Sequence, residues 1–192
     1  MLEHLKSYRI ILGSQSPRRQ SLLKELGLRY DVLVLDVEEI FPGDLAAEKV
    51  PLYLAELKSE AYKEKLKENE IIITADTTVI LDSKVINKPV DRDDALNMLR
   101  QLSGQKHTVV TGVVVLSKSK KTDFSEKTDV YFKPLTEEEI NYYVNHYSPF
   151  DKAGSYGIQE WLGYIGIEKI DGCYYNVMGL PLSRLYKVLS AF

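Results

Sequence analysis

The stretch IILGSQSPRR, residues 10–19, decides the fold because it carries the chain from an apolar run into a helix. The β-branched and leucine run of residues 10–12 is typical of a strand, and leucines at helical spacing predict a helix over residues 17–26. Ser16 is a favoured N-cap and Pro17 fits the first helical position. The sequence therefore predicts a strand–loop–helix junction with hydroxyls and two guanidinium groups at a helix N-terminus.

This junction has two interpretations. Helix N-termini attract anions because they carry free N–H groups and a partial positive charge. Arg18 and Arg19 can bind phosphate oxygens in bidentate fashion, and Ser14 and Ser16 add hydroxyl groups beside them. The alternative is an ordinary capped helix whose arginines face solvent.

The composition limits the function classes. The 192 residues carry a formal net charge of −3, so the surface as a whole is not built to coat nucleic acid. No apolar run approaches the roughly 20 residues of a membrane span, and the first residues have no apolar core of signal-peptide length. The single cysteine, Cys173, cannot form an intramolecular disulfide. We expect a cytoplasmic protein without membrane or nucleic-acid polymer as partner, with residues 1–192 forming one domain or two closely joined lobes around a cleft.

The order of the predicted elements indicates an α/β fold. Strands are predicted over residues 8–13, 30–37, 71–73 and 108–116, and a further strand reaches residue 132. Helices are predicted over residues 91–102 and 136–145, and two more begin at Pro51 and Pro181. Predicted hairpins across residues 82–84 and 171–172 interrupt the alternation of strand and helix. We therefore expect a mixed central sheet flanked by helices rather than a purely parallel one.

Asp76 is the candidate catalytic carboxylate. It is predicted to follow the buried strand of residues 71–73 at its carboxyl end, where open α/β sheets collect ligands. A carboxylate there can bind Mg²⁺ or Mn²⁺, or accept a proton from water. The alternative is an aspartate that caps the local backbone. Glu39, in a predicted loop, is either solvated or a second metal ligand.

Two lysines and one loop complete the candidate site. Lys88 follows the first hairpin and suits phosphate, and Lys58 lies in a helix rich in Lys and Glu; the alternative for both is a solvated surface lysine. The loop of residues 151–159 contains two glycines, which permit close approach of backbone to a ligand. Gln159 can read a base edge through its paired donor and acceptor, unless the loop is a structural turn around a packed Tyr156.

Six motifs, taken in order, resemble the Maf family of nucleoside triphosphate pyrophosphatases. They are SQSPRR at 14–19, ADT at 75–77, NKP at 87–89, LSGQKH at 102–107, DKAGSYGIQ at 151–159 and NVMGLPL at 176–182. They span nearly the whole chain, and the fifth motif looks like that of the branch acting on dTTP and UTP. Residues 160–163, EWLG, depart from the more glycine-rich run of the family, which bears on base preference.

The resemblance implies an enzyme that cleaves between the α- and β-phosphates of a nucleoside triphosphate and releases a monophosphate and pyrophosphate. Its substrates would be dTTP and UTP, with modified pyrimidine nucleotides as further candidates, and it would need Mg²⁺ or Mn²⁺. The implied fold is the mixed α/β type shared with inosine triphosphate pyrophosphatases (the Maf/Ham1 fold), often found as a homodimer. The family name reflects a link to septum formation.

The resemblance also implies roles for individual residues. Asp76 matches the catalytic acidic residue, a proton acceptor, and with Glu39 is our candidate metal ligand. Positions tied to substrate choice are Arg18, Thr77 and Gln159. The remaining site positions are Lys58, Lys88 and Lys152, with Ser14, Ser16 and Arg19 in the phosphate-binding loop.

Two other functions compete with this one. A non-catalytic nucleotide-binding regulator of cell division or septum formation would bind a nucleotide at the same site and act through a partner. A nucleic-acid-binding protein would use the arginine pair. The acidic balance and the absence of an extended basic stripe with aromatic residues argue against the latter.

Overall fold

The structure is a computed structural model that describes residues 2–192. Its strands are β1 (Arg9–Leu12), β2 (Tyr30–Val32), β3 (Glu70–Leu81), β4 (Lys84–Ile86), β5 (Lys106–Ser117), β6 (Lys121–Phe132) and β7 (Ile167–Asp171). Its α-helices are α1 (Pro17–Glu25), α2 (Val50–Lys63), α3 (Arg92–Leu102), α4 (Glu137–Tyr147), α5 (Trp161–Gly166), α6 (Tyr174–Val177) and α7 (Leu182–Ser190). Short 3₁₀ turns lie at Glu3–Ser7, Ala47–Lys49, Pro149–Asp151 and Ala153–Ser155.

The strands form one mixed sheet, which confirms the predicted fold class. Its order is β2-β1-β3-β5-β6-β7, and β4 pairs with β3 off this path. β1 is parallel to both β2 and β3, whereas the other pairs are antiparallel. No helix within residues 2–192 is long and apolar enough to cross a membrane.

Helices cover both faces of the sheet around β1. Ile10 and Leu12 join a core cluster with α1 and α7, whereas Ile11 belongs to a cluster with Ala55 and Tyr62 of α2. Successive strand residues point to opposite faces, so a strand buried on both sides has a continuous apolar run. A third cluster packs α3 and α4 against the far half of the sheet.

β3 is the strand that creates space for a site. β5 pairs with one edge of β3 from Ile71 to Ile80. The other edge of β3 pairs with β1 up to Ile73 and with β4 from Val79 onward. Within residues 2–192, no strand pairs with residues 74–78 on that edge. Because side chains alternate along a strand, Asp76 and Thr77 point to opposite faces at this gap.

Several expected elements differ from those observed. Asp76 does not follow the end of a strand: it lies in the middle of β3, because antiparallel pairing with β5 continues after the parallel pairing with β1 has stopped. The predicted second strand is shorter and ends at Val32. The prediction of a hairpin across residues 171–172 is wrong, since β7 pairs with β6 and residues 174–177 are helical.

Tertiary hydrogen bonds explain the last difference. The side-chain amide of Asn176 is fully buried and donates to the carbonyl of Val109 at 3.0 Å and to Oγ1 of Thr128 at 2.9 Å. These bonds hold the segment against the sheet as a helical turn. Local alternation of apolar residues does not report such contacts, and they override it.

Other local signals are confirmed. Ser16 caps α1 by accepting from the Arg19 N–H, and Thr136 forms a capping box with Glu139 at the start of α4. The hairpin across residues 82–84 forms even without glycine: Asp82 and Ser83 adopt φ values of 49° and 63°. Both lie in the left-handed region that a two-residue hairpin of type I′ requires.

Gly112 on β5 lets α2 approach the sheet closely. A Cβ at this position would lie 2.3 Å from the Leu52 backbone N and Cα, far inside contact distance. The close approach of α2 brings Lys58 within reach of Asp76. Gly43 offers a contrast, since a Cβ there would meet nothing within 4 Å.

His107 is a core residue rather than a ligand. It is 1% exposed on β5, and its Nε2 is 2.7 Å from the hydroxyl of Tyr156. Its ring packs edge-on against Phe132 and Tyr156. Burial lowers the pKa of His107 to about 4.

We expect Gly112→Ala to lower the free energy of unfolding by about 1–3 kcal/mol, because α2 must move away from the sheet. Urea unfolding measures the change. The matched control, Gly43→Ala, should change it by less than about 0.5 kcal/mol. Equal stability of the two variants would contradict the close approach.

We expect His107 to make the protein less stable as the pH falls. The unfolded imidazole binds a proton near its ordinary pKa of 6.5, whereas the folded one does so only near a pKa of about 4. Its contribution to stability is therefore present above pH 6.5 and is lost as the pH falls through this window, in total about 3 kcal/mol.

Urea unfolding at several pH values, compared between the natural chain and His107→Gln, isolates this contribution from that of the carboxylates. The variant should lose about 2–3 kcal/mol less stability than the natural chain between neutral pH and about pH 4.5. Parallel curves for both proteins would show that His107 is not responsible.

Candidate active site

A cleft of about 680 Å³ opens at the gap in the edge of β3. It lies between the β1–α1 loop, the chain after β2, α2, β3, the chain after β4 and residues 151–159. All of the site residues expected from the sequence line it: Ser14, Ser16, Arg18, Arg19, Glu39, Lys58, Asp76, Thr77, Lys88, Lys152 and Gln159. The volume is typical of pockets that bind small molecules.

Arg19 is held in the cleft by neutral acceptors. Its Nε donates to the carbonyl of Gly179 at 2.9 Å, Nη1 to Oγ of Ser14 at 3.3 Å and Nη2 to Oγ1 of Thr77 at 3.0 Å. No carboxylate of residues 2–192 forms an ion pair with it. Desolvation lowers the pKa of Arg19, and the Asp76 charge opposes this shift. A partly desolvated cation without a counterion favours an anionic ligand.

The hydroxyl groups around Arg19 also order the start of α1. Ser14 is 7% exposed, and its Oγ accepts from the N–H of Ser16 at 3.2 Å. Thr77 shares a hydrogen bond of 2.9 Å with Thr111. The guanidinium group and the N-terminus of α1 therefore lie side by side, so that both can bind one anion.

Two carboxylates meet one ammonium group on the other side of β3. Lys58 Nζ lies 2.7 Å from Oδ1 of Asp76 and 3.0 Å from Oε2 of Glu39. The side chains of Lys58 and Asp76 are only 15% and 14% exposed, whereas that of Glu39 is 47% exposed. Lys58 and Asp76 are thus not solvated surface residues, and both carboxylates point into the cleft.

Tyr62 anchors the segment that carries Glu39. Its hydroxyl donates to the carbonyl of Leu33 at 2.6 Å and accepts from the N–H of Leu35 at 3.0 Å. Burial raises the pKa of Tyr62, so its hydroxyl stays protonated and can donate. Sequence reasoning missed this residue, because it stands on the predicted helix among charged residues without any motif of its own.

A chain of ion pairs connects the start of α1 to residues 151–160. Arg18 Nη1 lies 2.7 Å from Oδ2 of Asp151, and Lys152 Nζ lies 2.8 Å from Oδ1 of the same carboxylate and 3.1 Å from Oε1 of Glu160. Burial raises the pKa of Asp151, but the hydrogen bonds from Lys152 and Arg18 outweigh it and hold the pKa below its usual range. The sequence alone indicates no role for Asp151 or Glu160.

The two remaining candidates differ in their surroundings. Gln159 lines the cleft, and its Oε1 is buried without a hydrogen-bond partner in residues 2–192. Lys88 is exposed at the cleft and forms no ion pair with the described part of the chain. Tyr156, in contrast, is a packed core residue at 5% exposure, as the structural interpretation of its loop proposed.

The cleft therefore has one cationic part and one part rich in carboxylates. Arg18, Arg19, Lys88 and the N-terminus of α1 can bind a polyanion. Asp76 and Glu39 can bind a divalent cation or accept a proton. The unpaired Oε1 of Gln159 belongs to the same cleft.

The family model and the named relatives of this chain indicate the same family. A family model described as "Maf-like protein" matches residues 9–192. A protein of Porphyromonas gingivalis (strain W83) named "dTTP/UTP pyrophosphatase" is 51% identical over 195 residues, which cover 100% of this chain and 98% of that protein. Proteins of the same name from Phocaeicola vulgatus and Flavobacterium johnsoniae are 52% and 45% identical, each covering 98% of this chain and 98% and 97% of their own lengths.

Among solved structures, the Staphylococcus aureus Ham1 protein matches with a TM-score of 0.47 and 16% identity, covering 65% of this chain and 71% of that one. The family model covers nearly the whole chain, and the named relatives align over almost all of it. The resemblance predicted from the six motifs is confirmed, and the chain belongs to the family of Maf-like proteins.

Proposed function

We propose that this chain hydrolyses dTTP and UTP to the nucleoside monophosphate and pyrophosphate. Relatives that are about half identical over the full length carry the name of this enzyme, which confirms the prediction of an enzyme. No observation favours the non-catalytic regulator of cell division over it. The cytoplasmic location, the homodimer and activity on modified pyrimidine nucleotides stay predictions from the sequence.

The observation that carries the proposal is the separation of charge within one cleft. Arg19 is bound only to neutral acceptors on one side of β3, whereas Asp76 and Glu39 converge on Lys58 on the other. A triphosphate placed between them meets donors for its oxygens and carboxylates for a metal or a proton. Phosphoryl chemistry depends mainly on such positioning and charge neutralisation.

We propose Asp76 and Glu39 as the residues that hold Mg²⁺ or Mn²⁺. Within residues 2–192, no group of three or more His, Cys, Asp or Glu could hold a metal ion by itself. The pair nevertheless fits Mg²⁺, which proteins usually bind through one or two carboxylates together with substrate phosphates. When bound, the ion supplies positive charge to the phosphates and acidifies a coordinated water.

The side chains of the cleft account for the remaining tasks. Arg18, Arg19 and Lys88 bind the phosphate oxygens, with the N–H groups of α1 beside them. Oδ1 of Asp76 is bound by Lys58, whereas its Oδ2 can accept a proton from the attacking water. The water oxygen bonds to the α-phosphorus as the bond to the bridging oxygen breaks, and pyrophosphate leaves.

Gln159 provides the choice of base in this proposal. Its buried Oε1 lacks a donor within the described residues. Uracil and thymine both present an N3–H donor flanked by carbonyl acceptors, which suits the acceptor and donor of one amide. Cytosine presents an acceptor at N3 and a donor at N4, so it pairs with this amide only when the amide is turned by 180°, and a Gln159 held with Oε1 towards N3 therefore disfavours it.

We expect the natural protein with Mg²⁺ to convert UTP into UMP and pyrophosphate, and Asp76→Asn to lower kcat by about 10²-fold or more because the proton acceptor is lost. Chromatography identifies the nucleotide product. A phosphate assay with and without added inorganic pyrophosphatase measures the release of pyrophosphate, and thereby kcat of both proteins.

The matched control is Asp123→Asn, an exposed aspartate on β6 outside the cleft, which should keep normal turnover. Melting temperatures establish that both variants fold. Direct release of orthophosphate by the natural protein would reject cleavage between the α- and β-phosphates, and normal turnover by Asp76→Asn would remove Asp76 from the reaction.

We expect Gln159→Leu to lower kcat/KM for UTP by roughly 10- to 100-fold, because the N3–H of uracil loses its acceptor. The ratio of kcat/KM between UTP and CTP should fall at the same time. Gln101→Leu, at an exposed position of α3, is the control. An unchanged UTP-to-CTP ratio in Gln159→Leu would exclude base recognition by this amide.

A further inference from the structure

Glu160 is bound through both of its carboxylate oxygens, although it touches no predicted phosphate-binding residue of α1. Its Oε1 lies 3.1 Å from Nζ of Lys152, and its Oε2 accepts from the hydroxyl of Tyr143. Its side chain is 21% exposed, at the N-cap of α5. Such a carboxylate is built into its surroundings rather than solvated.

Tyr143 transmits this anchoring to the backbone beside Gln159. It is fully buried on α4, and its hydroxyl accepts from the N–H of Gly157 at 2.9 Å. Burial and the Glu160 charge raise the pKa of Tyr143, so the hydroxyl stays protonated and donates to the carboxylate. The hydroxyl thus connects α4 both to Glu160 and to the loop.

Residues 157–160, here called the Gln159 turn, close on themselves. The N–H of Glu160 donates to the carbonyl of Gly157 at 3.0 Å. The carboxyl group of Glu160 also packs under Gly157, where an added Cβ would lie 2.8 Å from Cδ and 2.9 Å from Oε2. Gln159 lies between two residues that are both bound to Tyr143.

The charge on Glu160 is needed for Lys152. The side chain of Lys152 is 8% exposed, and a buried ammonium group requires a counterion. Its other partner, Asp151, is 55% exposed and also binds Arg18. Glu160 is therefore the less exposed of the two counterions of Lys152. It pairs with Lys152 while Asp151 is shared with Arg18.

We propose that Glu160 is a positioning residue: through Tyr143 and Lys152 it fixes the Gln159 turn, and so contributes to the choice of base without contacting the substrate. This inference rests on the proposed function, in which Gln159 reads the base. It assigns a task to a position where the sequence departs from its family's glycine-rich run.

Glu160→Ala, Glu160→Gln and Tyr143→Phe test the proposal, with kcat and KM measured separately for UTP and CTP. We expect Glu160→Ala and Tyr143→Phe each to reduce the UTP-to-CTP ratio of kcat/KM by about tenfold, mainly through KM, because a displaced positioning group loses productive geometry. Glu160→Gln keeps an acceptor for Tyr143 but removes the charge beside Lys152, so it should restore only part of the ratio. The double variant should be no worse than either single variant, because both act on one turn.

Glu138→Ala, at an exposed site in the first turn of α4, is the control and should keep the natural ratio. Melting temperatures identify any variant that fails to fold, and the variants that do fold then decide. A natural UTP-to-CTP ratio in Tyr143→Phe and in folded Glu160→Ala would overturn the proposal while leaving the proposed function intact. Failure of the natural chain to prefer UTP over CTP would overturn this proposal and base reading by Gln159 together, whereas failure to hydrolyse UTP at all would reject the proposed function.

Discussion

The shared edge of β3 is the constraint on which the rest of the site depends. Two short strands divide this edge, and the residues between them are left beside a cleft rather than beside another strand. The alternation of side chains then sends neighbouring residues to opposite faces. Asp76 meets Lys58 from α2, and Thr77 meets Arg19 from α1. One strand therefore separates the carboxylates from the guanidinium group.

This separation has an energetic consequence. A guanidinium group paired with Asp76 would be satisfied within the protein and would have less reason to bind a ligand. The hydrogen bonds of Arg19 to Ser14, Thr77 and Gly179 instead hold it without neutralising it. Lys58 takes both carboxylates. The structure thus forgoes one internal ion pair and leaves the charge of Arg19 without a counterion within residues 2–192.

The features predicted correctly are those that depend on interactions between residues close together in the chain. The capped start of α1, the capping box of α4 and the hairpin at residues 82–84 all depend on contacts within a few residues, and all were found. The position of Asp76 along β3 and the helical turn at Asn176 depend on pairing with β5 and β6, far away in the chain. Periodicity within a short window carries no information about such partners.

The same distinction holds for the cleft. Motif order predicted which residues line it, but not which of them bind one another. The ion pair of Arg18 and Asp151 joins residues separated by 133 positions, and Glu160 reaches Tyr143 from another helix. The Glu160–Tyr143 contact follows from the packing of α4 against α5, and the Arg18–Asp151 pair from the position of Pro149–Asp151 beside α1. Residue types alone specify neither contact.

Arg19 also links distant parts of the chain, since Ser14, Thr77 and Gly179 belong to its beginning, its middle and its end. An anion that binds this guanidinium only when the three parts are assembled would stabilise the chain against their separation. By mass action, a ligand at one hundred times its Kd then adds about 2.7 kcal/mol to the free energy of unfolding. The resistance of the chain to proteolysis would therefore follow the supply of its own ligand.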